Sequence, residues 1–170
     1  MTASGTEPIE DLREVLNRRR GNKILSGFQI NHVTLSDQKS GKIFWRTNED
    51  LSNPQREHEI YLPKTIFQSS LLRCEANFSS VYGMRNFRIE LLMFFKGHPI
   101  EESKSEYGCV IPFSVNNWKM TITPTSDAPH LPLDLLSGHI TIEVNYYDEN
   151  TLIATTKTLS LAQKRKIVRD

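Results

Sequence analysis

Glu57, His58 and Glu59 form the densest run of ionisable side chains in the sequence. Carboxylates beside an imidazole are the raw material of a proton relay or a metal site. In a strand, however, successive side chains point to opposite faces, so His58 points away from both glutamates. That geometry assigns His58 a structural role. Cys74 falls on the apolar face of an alternating run; nothing nearby in sequence lowers its pKa, since the adjacent Arg73 points to the other face, and it reads as an inert buried thiol. The five histidines are scattered, and there is no Gly-rich phosphate loop, no H-E-x-x-H and no G-x-S-x-G. With no acid, base and nucleophile converging, the chain is read as a non-enzyme with no cofactor and no metal ligands.

The elements that must position these residues read as mostly β. Ile9, Leu12, Val15 and Leu16 recur at helical spacing, with Glu10 and Asp11 early and Arg18, Arg19 and Arg20 late. This order suits the helix dipole and predicts a short amphipathic helix ending near Gly21, with the arginines as its solvated end. Beyond Gly27 the period becomes two. Phe28 and Ile30 share one face and Val33 and Leu35 another, so a bulge is expected between them. Ile43 to Arg46 follows the turn Ser40-Gly41. Ile60 and Leu62 precede Pro63, which stops their strand. Leu72, Cys74, Ala76 and Phe78 alternate with polar residues, as do Phe87, Ile89, Leu91, Met93 and Phe95. Strands are also expected at Tyr107 to Ile111, around Trp118, Met120 and Ile122, over Ile140 to Tyr146, and over Leu152 to Leu161 after the turn Asp148-Glu149-Asn150. Pro124 to Pro132 reads as a loop. Eight or nine strands with almost no helix predict an all-β sandwich or barrel. The organisation expected is a leader and helix over residues 1–23, a sandwich over 24–161 and a basic tail over 162–170 that carries Lys164, Arg165, Lys166 and Arg169.

Composition bounds the function. The 170 residues fit one domain, and a formal net charge of +1 speaks against a broad nucleic-acid footprint. Cys74 and Cys109 are the only cysteines and make no framework, which reads as a reduced, cytosolic chain. No signal peptide is read in Met1 to Pro8, and no apolar run approaches the roughly 18 residues needed to span a bilayer. The sequon Asn77-Phe78-Ser79 is read as chance. The remaining signal is the apolar inner face of many strands. It fits a packed core or a ligand cavity; the small Cys74 and Ala76 and the apolar residues of the Pro-rich loop lean towards a cavity.

A set of collinear stretches then resembles a known family. They are Ile24-Leu25-Ser26-Gly27-Phe28, Gly41-Lys42-Ile43-Phe44-Trp45, Glu49-Asp50-Leu51-Ser52, Glu57-His58-Glu59, Pro63-Lys64 and Asn77-Phe78-Ser79-Ser80. Phe87-Arg88-Ile89-Glu90, Phe95-Lys96-Gly97, Val110-Ile111-Pro112, Leu135-Leu136-Ser137-Gly138 and Ile142-Glu143 follow in order. From about Ile24 to Leu161 the chain resembles the prenyl-binding delta-subunit family of rod cGMP phosphodiesterase.

The resemblance implies an immunoglobulin-like β-sandwich whose sheets part to hold a farnesyl or geranylgeranyl chain. It implies a cytoplasmic carrier, extending to the base of a cilium or flagellum, with only transient proximity to membranes. Its cargo would be prenylated proteins such as Ras-, Rho- or Rab-like GTPases and prenylated ciliary proteins, released by an Arf-like GTPase in its GTP state. Nucleic acid is not among the expected partners. Matched positions implied to line the pocket are Val33, Leu35, Trp45, Leu51, Ile60, Leu62, Phe67, Cys74, Ala76, Leu91, Met93, Ile122, Leu131, Leu136, Ile142, Val144 and Tyr146. Three departures stand out: Cys74 where the family has arginine, Leu91 where it has glutamine, and Ser103 in place of a pocket tryptophan, with Lys104 and Ser105 following where aromatic residues are usual. A myristoyl carrier of the same fold and a lipid-free sandwich that serves as an interaction module are the alternative readings.

Overall fold

A computed structural model describes residues 11–63, 66, 71–122 and 139–162, with the side chains of Leu62, Leu161 and Ala162 left out. Within them lie one helix, α1 (Leu12–Ser26), and nine strands: β1 (Phe28–Asp37), β2 (Ile43–Thr47), β3 (His58–Leu62), β4 (Leu72–Ser80), β5 (Met84–Phe95), β6 (His98–Val110), β7 (Ser114–Ile122), β8 (Ile140–Asp148) and β9 (Thr151–Ala162). The strands form two sheets, ordered β2-β1-β4-β7 and β3-β9-β8-β5-β6. All neighbours are antiparallel except β3 and β9, which run parallel. The result is the all-β, immunoglobulin-like sandwich expected, with a short N-terminal helix.

Period-two patterning sets the register, because a slip of one residue would turn every apolar side chain to water. The phase change after Ile30 is a register shift between Ile30 and His32 against β4. The extra residue, Asn31, turns its side chain to Asn77, which in turn reaches Asn117, so three amides span the outer face of the first sheet. Asn77, read above only as part of a chance sequon, is the middle of that ladder.

Two expectations are corrected. The sixth strand begins at His98 rather than Tyr107 and ends at Val110. Its middle stretch, Glu101 to Glu106, is polar and has no apolar alternation to reveal it; pairing along the whole of β5 makes it a strand. The helix runs on to Ser26 and does not end near Gly21. Leu12 and Leu16, assigned to its apolar face, are exposed, and Gly21 and Ile24 are buried instead. The cause is where the helix meets the sandwich. Its C-terminal half lies on β9, with Gly21 against the Leu152 carbonyl. Arg20, expected to be solvated, pairs with the wholly buried carboxylate of Asp148 and donates to Thr151 Oγ1 at 2.7 Å. Asp148 also accepts from the backbone N–H groups of Arg85 and Asn86, both at 3.0 Å. One carboxylate thus joins α1, the start of β5 and the β8–β9 turn. Asp11 caps the other end of the helix by accepting from Arg13 N–H.

A Cβ on Gly21 would sit 2.0 Å from the Leu152 carbonyl oxygen, which is backbone and cannot swing aside. Alanine favours an isolated helix by about 1 kcal/mol over glycine. In this position the clash outweighs that gain, and Gly21→Ala is expected to lower stability by roughly 1–3 kcal/mol. Urea unfolding reads it directly, and an unchanged or raised midpoint would mean that α1 does not sit against β9.

Candidate functional site

Six rings fill one end of the space between the sheets. Phe28, Phe78 and Trp118 come from the first sheet and Phe87, Tyr107 and Tyr146 from the second. Phe78 and Phe87 meet edge to face at 5.0 Å, Phe78 and Tyr107 at 5.2 Å, and Phe87 reaches Phe28 and Trp118 at 5.3 Å each. Edge-to-face pairs of this kind add about 0.5–1.5 kcal/mol each beyond their buried area. Phe78 and Phe87 are only 1 % exposed. This is a solid floor.

Beyond the floor the inward residues become small. β4 turns Ala76 and Cys74 inward, β6 Ser105 and Ser103, and β9 Thr156 and Thr158. Small side chains on facing sheets leave a cavity of about 210 Å³ whose wall is almost wholly apolar. Of the residues expected there, Val33 and Leu35 line it from β1 and Trp45 from β2. Leu51 enters from the β2–β3 loop, Ile60 from β3, and Cys74 and Ala76 from β4. Leu91 and Met93 come from β5, Ile122 from β7, and Ile142, Val144 and Tyr146 from β8. The side chain of Leu62, and Phe67, Leu131, Leu136 and the stretch Pro124 to Pro132 expected as a loop, lie outside the described residues. Of the floor rings, sequence reasoning placed Tyr146 in the wall but missed Phe28, Phe78, Phe87 and Trp118, and it also missed Ile30, Ile66, Leu72, Ile89, Glu101, Met120 and the two threonines of β9. Alternation marked Phe78 and Phe87 as inward, but nothing local says how deep an inward residue lies. On β9 the alternation is carried by threonines, whose burial no hydrophobic pattern announces.

The loop between β2 and β3 crosses from one sheet to the other and is tied at both sides. Asp50 accepts from Ile30 N–H at 3.0 Å, on the stretch of β1 that β2 does not reach, and also from the Ser52 N–H and hydroxyl. On the second sheet the buried His58 ring places Nδ1 3.1 Å from Glu49 Oε1 and Nε2 2.9 Å from the Asn53 carbonyl. A carbonyl oxygen only accepts, so Nε2 carries a proton. His58 is therefore structural: it anchors a strap that holds Leu51 in the cavity wall.

Two titratable groups in the wall, Cys74 and Tyr146, are shifted towards their neutral forms. Burial pushes the Cys74 thiol up to about 11. Burial likewise holds the Tyr146 phenol above its ordinary range, although its hydrogen bond with Thr156 opposes the shift. No group of three metal-ligating side chains occurs among the described residues. What this arrangement can do chemically is exclude water and accept apolar matter.

A family model described as GMP-PDE, delta subunit, matches residues 22–160. The chain belongs to this family. The match begins inside α1 and ends in β9, so it takes in every strand that lines the cavity. The positions noted above as departing from the resembled pattern fall on the wall: Cys74 and Leu91 line it from β4 and β5, and Ser103 and Ser105 from β6. Lys104 points outward between them.

The two cysteines give a direct test of how dry the wall is. At pH 8 a thiol with a pKa of about 11 is ionised in about one molecule in a thousand. Cys109 is exposed. A thiol reagent should therefore label one cysteine quickly in the native protein and both in denaturant. The raised value also sets a pH dependence. Above the ordinary thiol value of 9.0 the unfolded chain loses its Cys74 proton first, so stability falls as pH rises from there towards about 11. Fast labelling of both thiols in native protein would show that water reaches the cavity.

Proposed function

We propose that this protein is a soluble carrier that takes the prenyl tail, farnesyl or geranylgeranyl, of lipidated proteins into the cavity between its sheets. The observation that carries the reading is the junction of a close-packed aromatic floor with an apolar chamber, in a chain of the delta-subunit family. No helix among the described residues is long and apolar enough to cross a membrane. In the proposal the carrier is cytoplasmic, lifts prenylated small GTPases and similar cargo from bilayers, and works without catalysis.

The energetics need no covalent step. Each buried methylene contributes about 0.8 kcal/mol, so a fifteen-carbon chain offers on the order of 10 kcal/mol before ordering costs. A cavity that matches this exchanges the lipid with a membrane at little net cost. The chamber of about 210 Å³ is smaller than the roughly 300–1,000 Å³ usual for ligand pockets. Entry of a prenyl chain therefore involves parting the sheets beyond the floor.

A fluorescent farnesylated, carboxyl-methylated peptide should bind and its unprenylated form should not. Ala76→Trp or Val144→Trp should fill the chamber and weaken binding, with an overpacking cost of roughly 1–3 kcal/mol. Glu75 and Thr141 are their neighbours in β4 and β8, on the opposite faces; substitutions there should leave binding almost unchanged. Equal binding of both peptides would remove the carrier reading, and clear preference for a myristoylated peptide would replace prenyl with myristoyl.

Release is proposed to be regulated by an Arf-like GTPase in its GTP state, docking by strand addition at a sheet edge. If such a partner weakens cargo binding, cargo weakens its binding by the same factor. Stopped-flow fluorescence should show faster peptide release with the GTP-analogue form than with the GDP form. Identical release rates would leave a passive lipid-binding protein.

A further inference from the structure

We propose that the β6–β7 turn is a membrane-docking tip, which seats the floor end of the sandwich on anionic bilayers. The turn and the first two residues of β7 read Ile111-Pro112-Phe113-Ser114-Val115. Phe113 is 84 %, Val115 70 % and Ile111 69 % exposed, and Pro112 is exposed too. The neighbouring β4–β5 turn adds Val81, and Phe113 N–H donates to the Val81 carbonyl at 3.1 Å, so the two turns form one apolar surface. Phe113 has φ +55°, a left-handed conformation that a bulky residue rarely adopts. The Pro112 ring rests over Gly83, where even a Cβ would be only 3.1 Å away.

Two features suit this surface to a bilayer. First, some of its polar groups are occupied within the protein: the Ser114 hydroxyl donates to the Ile111 carbonyl, and the Phe113 N–H is bonded as above. Entering the lipid interface with unpaired backbone groups is costly, and that cost is reduced here. Second, cations flank it. Arg85 is exposed one residue after the Met84–Val110 pair from which the turn springs, and Lys23 holds its ammonium 5.1 Å from the ring of Tyr82, next to Val81. An apolar tip with a basic rim is the combination that binds anionic lipid surfaces. The other hairpin turns carry polar residues instead: Lys39-Ser40-Gly41, Lys96-Gly97 and Glu149-Asn150. The tip lies at the aromatic floor, so the contact is independent of cavity filling and leaves the far end of the chamber directed away from the bilayer.

Vesicle flotation of the full chain tests the proposal. Association is expected with vesicles of phosphatidylcholine containing roughly a third phosphatidylserine, several-fold less without the serine lipid, and a decline with added salt. Phe113→Ser should lower partitioning on the order of tenfold, since one exposed aromatic side chain no longer enters the interface. Phe113→Trp should give a blue-shifted emission that brominated lipids quench. Ala76→Trp, which fills the chamber, should float like the parent protein, so failure of the tip and failure of the carrier reading are separable. The proposal falls if the parent chain does not float, or if Phe113→Ser floats equally well. It also falls if Leu12→Ser with Leu16→Ser abolishes binding while the Phe113 variant does not. A dimer in sedimentation velocity that Phe113→Ser dissolves would assign the tip to a second copy and overturn the membrane reading.

Discussion

The contact of six aromatic rings across the two sheets fixes where the sandwich is full and where it is hollow. Each sheet contributes three rings, all from strands that continue well past them. Because Phe78 and Phe87 interlock edge to face, the sheets cannot approach or separate at that level without breaking several ring contacts together. Several inward positions further along are then held at a spacing set by large rings but filled by alanine, cysteine, serine or threonine: Ala76 and Cys74, Ser105 and Ser103, Thr156 and Thr158. The cavity follows from that mismatch.

The polar ties accentuate the asymmetry. At the floor end the buried carboxylate of Asp148 gathers α1, β5 and the β8–β9 turn, and the short β4–β5 and β6–β7 turns cross between the sheets. Along the side formed by β2 and β3, the strap is bonded to the first sheet through Asp50 and to the second through His58. The Glu49 carboxyl group and the Asn53 carbonyl engage both nitrogens of the imidazole. Loss of either tie would free Leu51 from the wall without touching the floor. The protein thus has one wall that hydrogen bonds hold in place and one chamber that only packing defines.

The parts legible in the sequence are those governed by short-range periodicity. Alternation located most of the strands, the bulge after Ile30 and the inward residues of β1, β4, β5 and β8. The parts that escaped depend on partners far away in the chain. Nothing in Glu101 to Glu106 reads as a strand until β5 is laid beside it. Arg20 reads as solvent-facing until Asp148, 128 residues later, is brought to it. Leu12 and Leu16 make a convincing apolar stripe, yet the helix buries a glycine, because close approach of backbones outweighs side-chain hydrophobicity at that crossing. The structural reading of His58 rested on its pointing away from its neighbours, and its real partners, Glu49 and Asn53, lie in a loop whose path alternation cannot describe.

The character of the wall bears on how the proposed carrier could hold and lose a lipid. A pocket with charged or amide groups fixes its ligand by directional bonds, and release must break them one at a time. This wall offers almost none: at Cys74 and Leu91 it has an uncharged thiol and an alkyl chain. Binding there would scale with the apolar area covered, and so with how closely the sheets can settle around the chain. Such an affinity is sensitive to shape. A small displacement of one sheet past the floor would shorten every contact on one side or open a gap on the other, and a gap of 0.5–1 Å already forfeits roughly a quarter to a half of a dispersion contact. A partner that bends a sheet edge would not need to reach the lipid to expel it, whereas the six-ring floor would stay unmoved and let the chamber close again once the lipid has gone.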